Sequence, residues 1–493
     1  MNKTVATKPL VLRGLTLDSN SLTVLVISIW VLLFMLFPHY SIDYIAKLTQ
    51  FTINQFGLGF ILFSTAMVVL VLGISISPLG KIRLGGNTSI PEFGTFSWLA
   101  MLFTAGMGSG LIFWGIAEPV FHVSNLPEFT KGIGDNTDTA LALTYFHWGI
   151  HAWAIYAIAG LAIAWFSYNR GRSLHISSTF TSKPGRSVWR IVDWMAIIAI
   201  LFGVAGTFAN TIALIQTGLE QTLSLSIGSI GFRYSLLLLI AVLFTGSSIL
   251  GLHKGIKLLS QFNTGLMVAL AVLVFVLVDP LPTLARMVSS TTSYLAILPE
   301  VSFSIAEASR DWSLGWSVIY IVWWVAWAPF VGPFIARISK GRTIRQFLLC
   351  AVMVPTLASI VWFSTFGGAA LEQSFASEVI DIVNTDYTKG LFLFFEQLPM
   401  GLLFSLAAIV LLITFIITSA DSALLVCGML SGSENIKSKI LWATILVTLS
   451  MALLFVNDVD LNKQVAIVGA LPFTLVMVGQ VVSMLRDMLS SKA

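Results

Sequence analysis

Twelve stretches of the chain are apolar enough, for long enough, to cross about 30 Å of hydrocarbon as helices. They fall at 21–37, 57–77, 96–120, 140–166, 192–217, 234–252, 259–279, 315–336, 344–366, 398–429, 439–457 and 463–484. Polar segments separate them, and the pattern predicts an all-α polytopic membrane protein. The tenth stretch is long enough to leave its ends, or an internal break, open. The first follows a polar leader of about 20 residues and carries no small-residue cleavage site, so it is expected to stay as a helix.

Composition excludes a soluble chain. Hydrophobic residues make up 57% of 493 and charged residues only 10%, with a mean hydropathy of +0.91, against about 25% charge in a soluble domain. Basic residues then test the number of crossings. With the N-terminus inside, only Lys47, Lys131, Arg233, Arg286, Arg310, Lys389 and Lys463 fall outside, leaving 20 of the 27 Lys and Arg on the cytoplasmic side. The positive-inside rule thus supports twelve crossings with both termini cytoplasmic. The net charge of +4 expresses that bias and not a nucleic-acid footprint; the dense run Arg337 to Arg345 is expected to touch anionic headgroups. Cys350 and Cys427 sit in apolar runs and are expected to be small core residues.

The spans are interrupted where chemistry would need it. The third contains Gly106-Met107-Gly108-Ser109-Gly110, then Gly115 and Glu118-Pro119. Alternate glycines cost a helix about 1 kcal/mol each relative to alanine, so they mark either a tight helix-packing face or an unwound segment at a substrate or ion site. Glu118 caps or pairs near the outer surface, or takes part in gating or ion coupling.

Aromatic residues cluster in two spans. Trp148, Trp153 and Tyr156 fall within an arc of about 140°, and Trp324 and Trp327 about 60° apart, at the helical rotation per residue. Tryptophans often form an interfacial belt, which suits Trp312 or Trp316. The density of Trp148, Trp153, Tyr156, Trp323, Trp324 and Trp327 also fits a π-lined cage for an onium cation that has no hydrogen bond to donate. His147 and His151, a turn apart, are either a metal pair or packed, hydrogen-bonded histidines; no carboxylate or cysteine accompanies them in the span. In the tenth span, Thr414 to Ser422 places Thr418, Ser419 and Asp421 together. These hydroxyls either back-bond to the preceding turn or, beside free carbonyls, form a hard oxygen site for a small monovalent cation.

From about residue 15 to 485 the sequence resembles the betaine/choline/carnitine transporter family. The most specific match is the run from Trp316 through Trp323-Trp324-Val-Ala-Trp327-Ala-Pro329 to Arg345; Met107-Gly-Ser-Gly110 with Glu118-Pro119, His147-Trp148 through Tyr156, and Thr418-Ser-Ala-Asp-Ser422 match further segments. The resemblance implies two inverted five-helix repeats of the LeuT-like architecture, within twelve transmembrane helices, and commonly a homotrimer. It divides the chain into a leader (1–20), two additional helices (21–95), a first repeat (96–279), a connecting segment with a peripheral helix (280–314), a second repeat (315–484) and a short tail (485–493). It implies a cage of Trp148, Trp153, Tyr156 and Trp324, with Trp323 and Trp327 flanking the pathway. Met107, Gly108, Ser109 and Gly110 would meet the substrate carboxylate.

Within the family, aspartate at the position of Gly110 goes with choline and glycine with betaine-like zwitterions. Sodium-coupled members build an ion site at the positions of Thr104, Met107, Phe415, Thr418 and Ser419. Thr104 stands where alanine is common. Sodium-independent exchangers carry a basic residue in the seventh span, and 258–285 has none. The stretch Gly206 to Thr211 departs from the pattern of a second sodium site, leaving Thr207 and Asn210 as its candidates. The expected function is therefore sodium symport of an onium zwitterion such as glycine betaine, in a bacterial-type inner membrane, with lipid and sodium as partners, no other cofactor and no nucleic acid. Sodium-independent exchange, uptake of choline, carnitine or dimethylsulfoniopropionate, and a solute channel are the alternatives. No assembled nucleophile, base and oxyanion arrangement suggests an enzyme, and the short terminal tails suggest no regulatory extension.

Overall fold

The computed structural model describes residues 10–12, 15–17, 36–182, 188–456 and 470–490, with positions 25, 29, 32 and 33. The first expected span, 21–37, falls almost wholly outside the described residues, as do 463–469 of the twelfth, most of the leader and the last three residues. Two three-residue strands, Leu10–Leu12 and Leu15–Leu17, pair antiparallel, a departure from the expected all-α chain.

The helices, in chain order, are α1 (Pro38–Ile76), α2 (Thr95–Met107), α3 (Gly110–Ser124), α4 (Asn136–Trp148), α5 (Ile150–Ala164), α6 (Arg190–Leu223), α7 (Ile230–Leu250) and α8 (Lys257–Leu277). There follow α9 (Pro280–Phe303), α10 (Ile319–Ile338), α11 (Ile344–Phe363), α12 (Ala376–Asp386), α13 (Gly390–Glu396), α14 (Gly401–Ser431), α15 (Ile436–Val456) and α16 (Ala470–Ser490). Among the described residues, ten continuous helical segments are long and apolar enough to span a membrane, and the bent pair α2–α3 makes an eleventh. Each of these eleven coincides with an apolar run expected from the sequence.

The tenth expected span is one unbroken helix. Its 31 residues give about 46 Å at 1.5 Å per residue, more than a bilayer core needs. It closes where Gly432 takes up a left-handed conformation (φ 75°), which only glycine adopts at no steric cost. The fourth span, by contrast, is interrupted at Gly149, between α4 and α5, where a Cβ would sit 2.3 Å from the Tyr145 carbonyl. Pro329 and Pro333 lie inside α10, and a wide π turn, Leu314–Val318, leads into it.

Burial separates core from periphery. The most apolar stretches of the segments Asn136–Asn169 and Glu307–Ile338 are 94% and 89% buried, against 28% for α7 and for Leu252–Leu277. Helix α10 packs extensively on α5, and α14 on α6. The two aromatic-rich segments are therefore the innermost ones, while α7 and α8 turn Leu239, Val242, Val272 and Val276 outward, as a hydrocarbon solvent permits. Cys427 is buried and Cys350 partly so, both unpaired.

The basic loop after α10 is more committed than expected. Arg337 pairs with Glu92 at 2.8 Å, Arg342 is 5% exposed, donates to the Phe93 carbonyl at 2.7 Å and lies over the Trp98 ring, and Arg345 donates to the Ser75 carbonyl at 2.6 Å. Backbone bonds Leu84 N–Arg342 O, Gly341 N–Leu84 O and Ile344 N–Ile82 O stitch this loop to the one after α1. These arginines clamp two loops together. Burial alone would raise the Glu92 pKa, but Arg337 and His253 outweigh it and hold the carboxyl below its ordinary value.

Candidate functional site

Helices α2 and α3 meet at a 58° bend. The hinge is Gly108, at φ 47° and ψ −154°, a backbone state closed to residues with a Cβ. The bend leaves the last carbonyls of α2 without a following turn. Each of the three alternate glycines stands against a different functional candidate. A Cβ on Gly106 would lie 2.5 Å from Trp153 Cη2, one on Gly108 3.3 Å from Ser419 Oγ, and one on Gly110 3.1 Å from Trp148 Cη2. The glycines are both the break and the room for close approach, which joins the two readings the sequence left open.

Four aromatic rings run edge to face around this break. Trp148 meets Trp324 at 5.4 Å and 78°, Trp324 meets Tyr156 at 5.7 Å and 85°, and Tyr156 meets Trp153 at 5.7 Å and 86°. The helical-wheel argument holds only within α5, because Gly149 separates Trp148 from the other two. That break frees carbonyls at the end of α4, and the facing segments use them: Trp324 Nε1 donates to His147 O at 2.8 Å and Ser359 Oγ to Trp148 O at 3.3 Å. All four rings are buried, and Trp153 Nε1 and Tyr156 OH have no hydrogen-bond partner among the described residues. A buried donor left unmade costs about 1–3 kcal/mol, so these two are candidates to meet a ligand's acceptor. Trp323 and Trp327 lie outside this chain of rings, stacking on Tyr320 (6.4 Å) and tilting against Phe330 (5.6 Å).

The hydroxyl candidates converge on one face of α8. Thr104 Oγ1 donates to Ser260 Oγ at 2.8 Å, and Asn263 Nδ2 donates to Thr418 Oγ1 at 3.0 Å; Ser260 and Asn263, three residues apart, share a face. Ser419 Oγ and Asn263 Oδ1 are buried with no partner among the described residues. Phe415 is fully buried in α14. Because α14 is unbroken there, the carbonyls that a helix end leaves without a following turn are those in the last turn of α2, Thr104 to Met107, the broken span to which the sequence assigned them. The oxygen set fits a hard monovalent cation through Ser419, Asn263 and those carbonyls. Ser109 Oγ bonds Thr211 Oγ1 at 2.5 Å, and Thr207 back-bonds to Gly203 O at 3.1 Å.

Sequence reasoning singled out Glu118, between a capping or pairing role and one in gating or ion coupling, but not its partners, and it is the most densely bonded of the candidate groups. Glu118, 0% exposed, accepts from Trp148 Nε1 at 2.7 Å, from the Tyr320 hydroxyl, and is in contact with His147 Nδ1 at 2.7 Å and His122 Nε2 at 3.3 Å. The spacing Glu118-x-x-x-His122 was visible; the approach of His147 and Tyr320 from other helices was not. Glu118, His122 and His147 offer ligand atoms within 4.8 Å of one another, the one such metal-type group among the described residues. His147 and His151 are no metal pair, since His151 Nε2 turns to Ser302 Oγ at 3.2 Å. Trp312 and Trp316 are not belt residues either: their rings lie 5.3 and 4.6 Å from His122.

Long apolar helices around a broken one, with buried aromatics and hydroxyls gathered at the break, define a polytopic membrane protein. The profile of the betaine/carnitine/choline family of transporters (BCCT) matches residues 20–493, and the chain belongs to that family. It is 34% identical over 459 residues to glycine betaine transporter 1 of Vibrio parahaemolyticus, covering 88% of this chain and 86% of that one. It is 34% identical over 491 residues to a probable glycine betaine transporter of Desulfitobacterium hafniense, covering 96% and 98%. A glycine betaine/proline/choline/ectoine transporter of V. parahaemolyticus is 34% identical over 460 residues, covering 88% and 80%.

Proposed function

We propose that this protein takes up a quaternary-ammonium zwitterion, glycine betaine first among them, by sodium symport and alternating access. The observation that carries the substrate is the run Trp148–Trp324–Tyr156–Trp153 with two unpaired donors, Trp153 Nε1 and Tyr156 OH. The π faces suit the onium head and the donors, with the α2–α3 break, suit a carboxylate. Gly110 favours a zwitterion, since a second carboxylate at that point would repel the substrate's own. Relatives named for glycine betaine support this order of preference.

Sodium is proposed at Thr104, Met107, Phe415, Thr418 and Ser419, to which Asn263 is added on its contact with Thr418. The proposed architecture is twelve crossings with cytoplasmic termini, inverted repeats at 96–279 and 315–484, and a homotrimer. Sodium would hold the outward-open state, substrate would complete the cage, and rocking of the repeats would deliver both inside. The test is uptake into proteoliposomes with and without an inward sodium gradient, for betaine, choline, carnitine and dimethylsulfoniopropionate. Concentrative, sodium-dependent betaine uptake is expected. Choline uptake without betaine uptake refutes the substrate; betaine exchange indifferent to sodium refutes the coupling.

A further inference from the structure

We propose that Glu118 is the fixed anion that gives the aromatic cage its preference for a cationic head over a neutral one of the same shape, acting through Trp148 as a positioning and specificity residue. The inference rests on the cage reading above.

The geometry argues it from hydrogen-bond supply. An ionised carboxylate has about four acceptor sites, and four side chains converge on Glu118: His122 from its own helix, His147 and Trp148 from α4, and Tyr320 from α10. Trp148 and Tyr320 have only an N–H and an O–H to give there. With His147 Nε2 taken up by Ser317 Oγ at 3.0 Å, Nδ1 is left to face the carboxylate. The set is complete for an anion and overfull for a protonated acid, which would itself have to donate.

That anion is one indole away from the cage. Trp148 is held at both ends, by Glu118 at its N–H and by the close approach of Gly110 at Cη2. A charge-assisted bond at the N–H is stronger than a neutral one and fixes the ring's orientation. It also draws the indole proton toward the carboxylate and leaves the π face more negative, the property on which cation recognition depends. In a water-poor interior the carboxylate's own field adds to this. A neutral, equally bulky head gains none of it. Among the described residues no lysine or arginine is hydrogen-bonded or ion-paired to Glu118, whose partners are two histidines, a tryptophan and a tyrosine, so its negative field is not cancelled by either.

The experiment compares glycine betaine with 3,3-dimethylbutanoate, in which a tert-butyl carbon replaces the onium nitrogen, as competing ligands of the purified full-length protein, read by tryptophan fluorescence. Wild type is expected to favour betaine by at least about a hundredfold, and Glu118→Gln to narrow that ratio by about tenfold or more. Tyr320→Phe, which keeps the charge, is expected to preserve the ratio even where both affinities fall. An unchanged ratio in folded, monodisperse Glu118→Gln overturns the proposal. If that variant does not fold, Glu118→Asp decides: the ratio held within about threefold supports the charge, and its collapse overturns it. A wild type that binds both ligands alike refutes the cage reading itself, separately from the role of Glu118.

Discussion

Replacing Gly106 with alanine separates fold stability from recognition, because a gain in helix propensity offsets part of the loss in the first and none of it in the second. Alanine inside α2 gains about 1 kcal/mol of helix propensity over glycine. The new Cβ, however, would lie 2.5 Å from Trp153 Cη2 and 2.9 Å from Cζ3, where an ordinary carbon contact is about 3.5–4.0 Å. Trp153 is 0% exposed and packed among its neighbours, so the ring has to shift by about 1 Å at an overpacking cost of about 1–3 kcal/mol. Net stability therefore falls by at most about 2 kcal/mol, a few degrees in melting temperature. Recognition has no compensating gain. A displaced π face forfeits about 1 kcal/mol of cation attraction, and with the Trp153 N–H misdirected the dissociation constant for betaine rises about tenfold or more. Gly110→Ala, at 3.1 Å from one atom of Trp148, should cost less. The assays are betaine binding by tryptophan fluorescence and thermal unfolding in detergent. A Gly106→Ala protein that binds betaine as tightly as wild type would refute the placement of Trp153 against the break.

Two further outcomes follow from the same geometry. Thr418→Ala with Ser419→Ala, or Asn263→Ala alone, should raise the sodium concentration for half-maximal uptake about tenfold or more, from about 1–3 kcal/mol per lost buried polar contact, while sodium-free betaine binding changes less; unchanged sodium activation in liposomes counts against the site. Just ahead of α4, Asp135 pairs with Arg286 of α9 at 2.7 Å; burial would raise the Asp135 pKa, but Arg286 and backbone donors outweigh it and hold it below its ordinary value. A depressed carboxyl stabilises above its unfolded value and loses that contribution as pH falls through the folded one, so melting temperature should drop below about pH 4, and Arg286→Ala should flatten that dependence.

The sequence made the spans legible because hydrocarbon demands long apolar runs, and α14, α15 and the bend at Gly108 lie where periodicity and glycine spacing put them. The break at Gly149 was not legible: one glycine in a helical run has many causes, and the reason for this one is the Tyr145 carbonyl 2.3 Å from where a Cβ would stand. The same limit applies to the candidate site. Trp148, Trp153, Tyr156 and Trp324 announced themselves by type and density. Ser260 and Asn263 did not, since a serine and an asparagine in an apolar run acquire meaning only through Thr104 and Thr418 on other helices. Trp312 and Trp316 misled because tryptophan near a span's end usually faces the interface; here two buried histidines offer it a stacking partner.

The three glycines explain why one short segment sits at both proposed sites. A helix with side chains at 106, 108 and 110 would keep Trp153, Ser419 and Trp148 at a distance, since each Cβ would stand 2.5 to 3.3 Å from one of them. Removing those side chains brings α5, α14 and α4 onto the same backbone turn, and the left-handed conformation at Gly108 aims the end of α2 between them. Any displacement of that turn must then act on the cage and on the hydroxyls of α14 together. Coupling between an organic solute and an inorganic cation requires such shared dependence, and the close approach of Gly106 and Gly110 to indoles, with Gly108 beside a hydroxyl, supplies a physical route for it without any long-range relay.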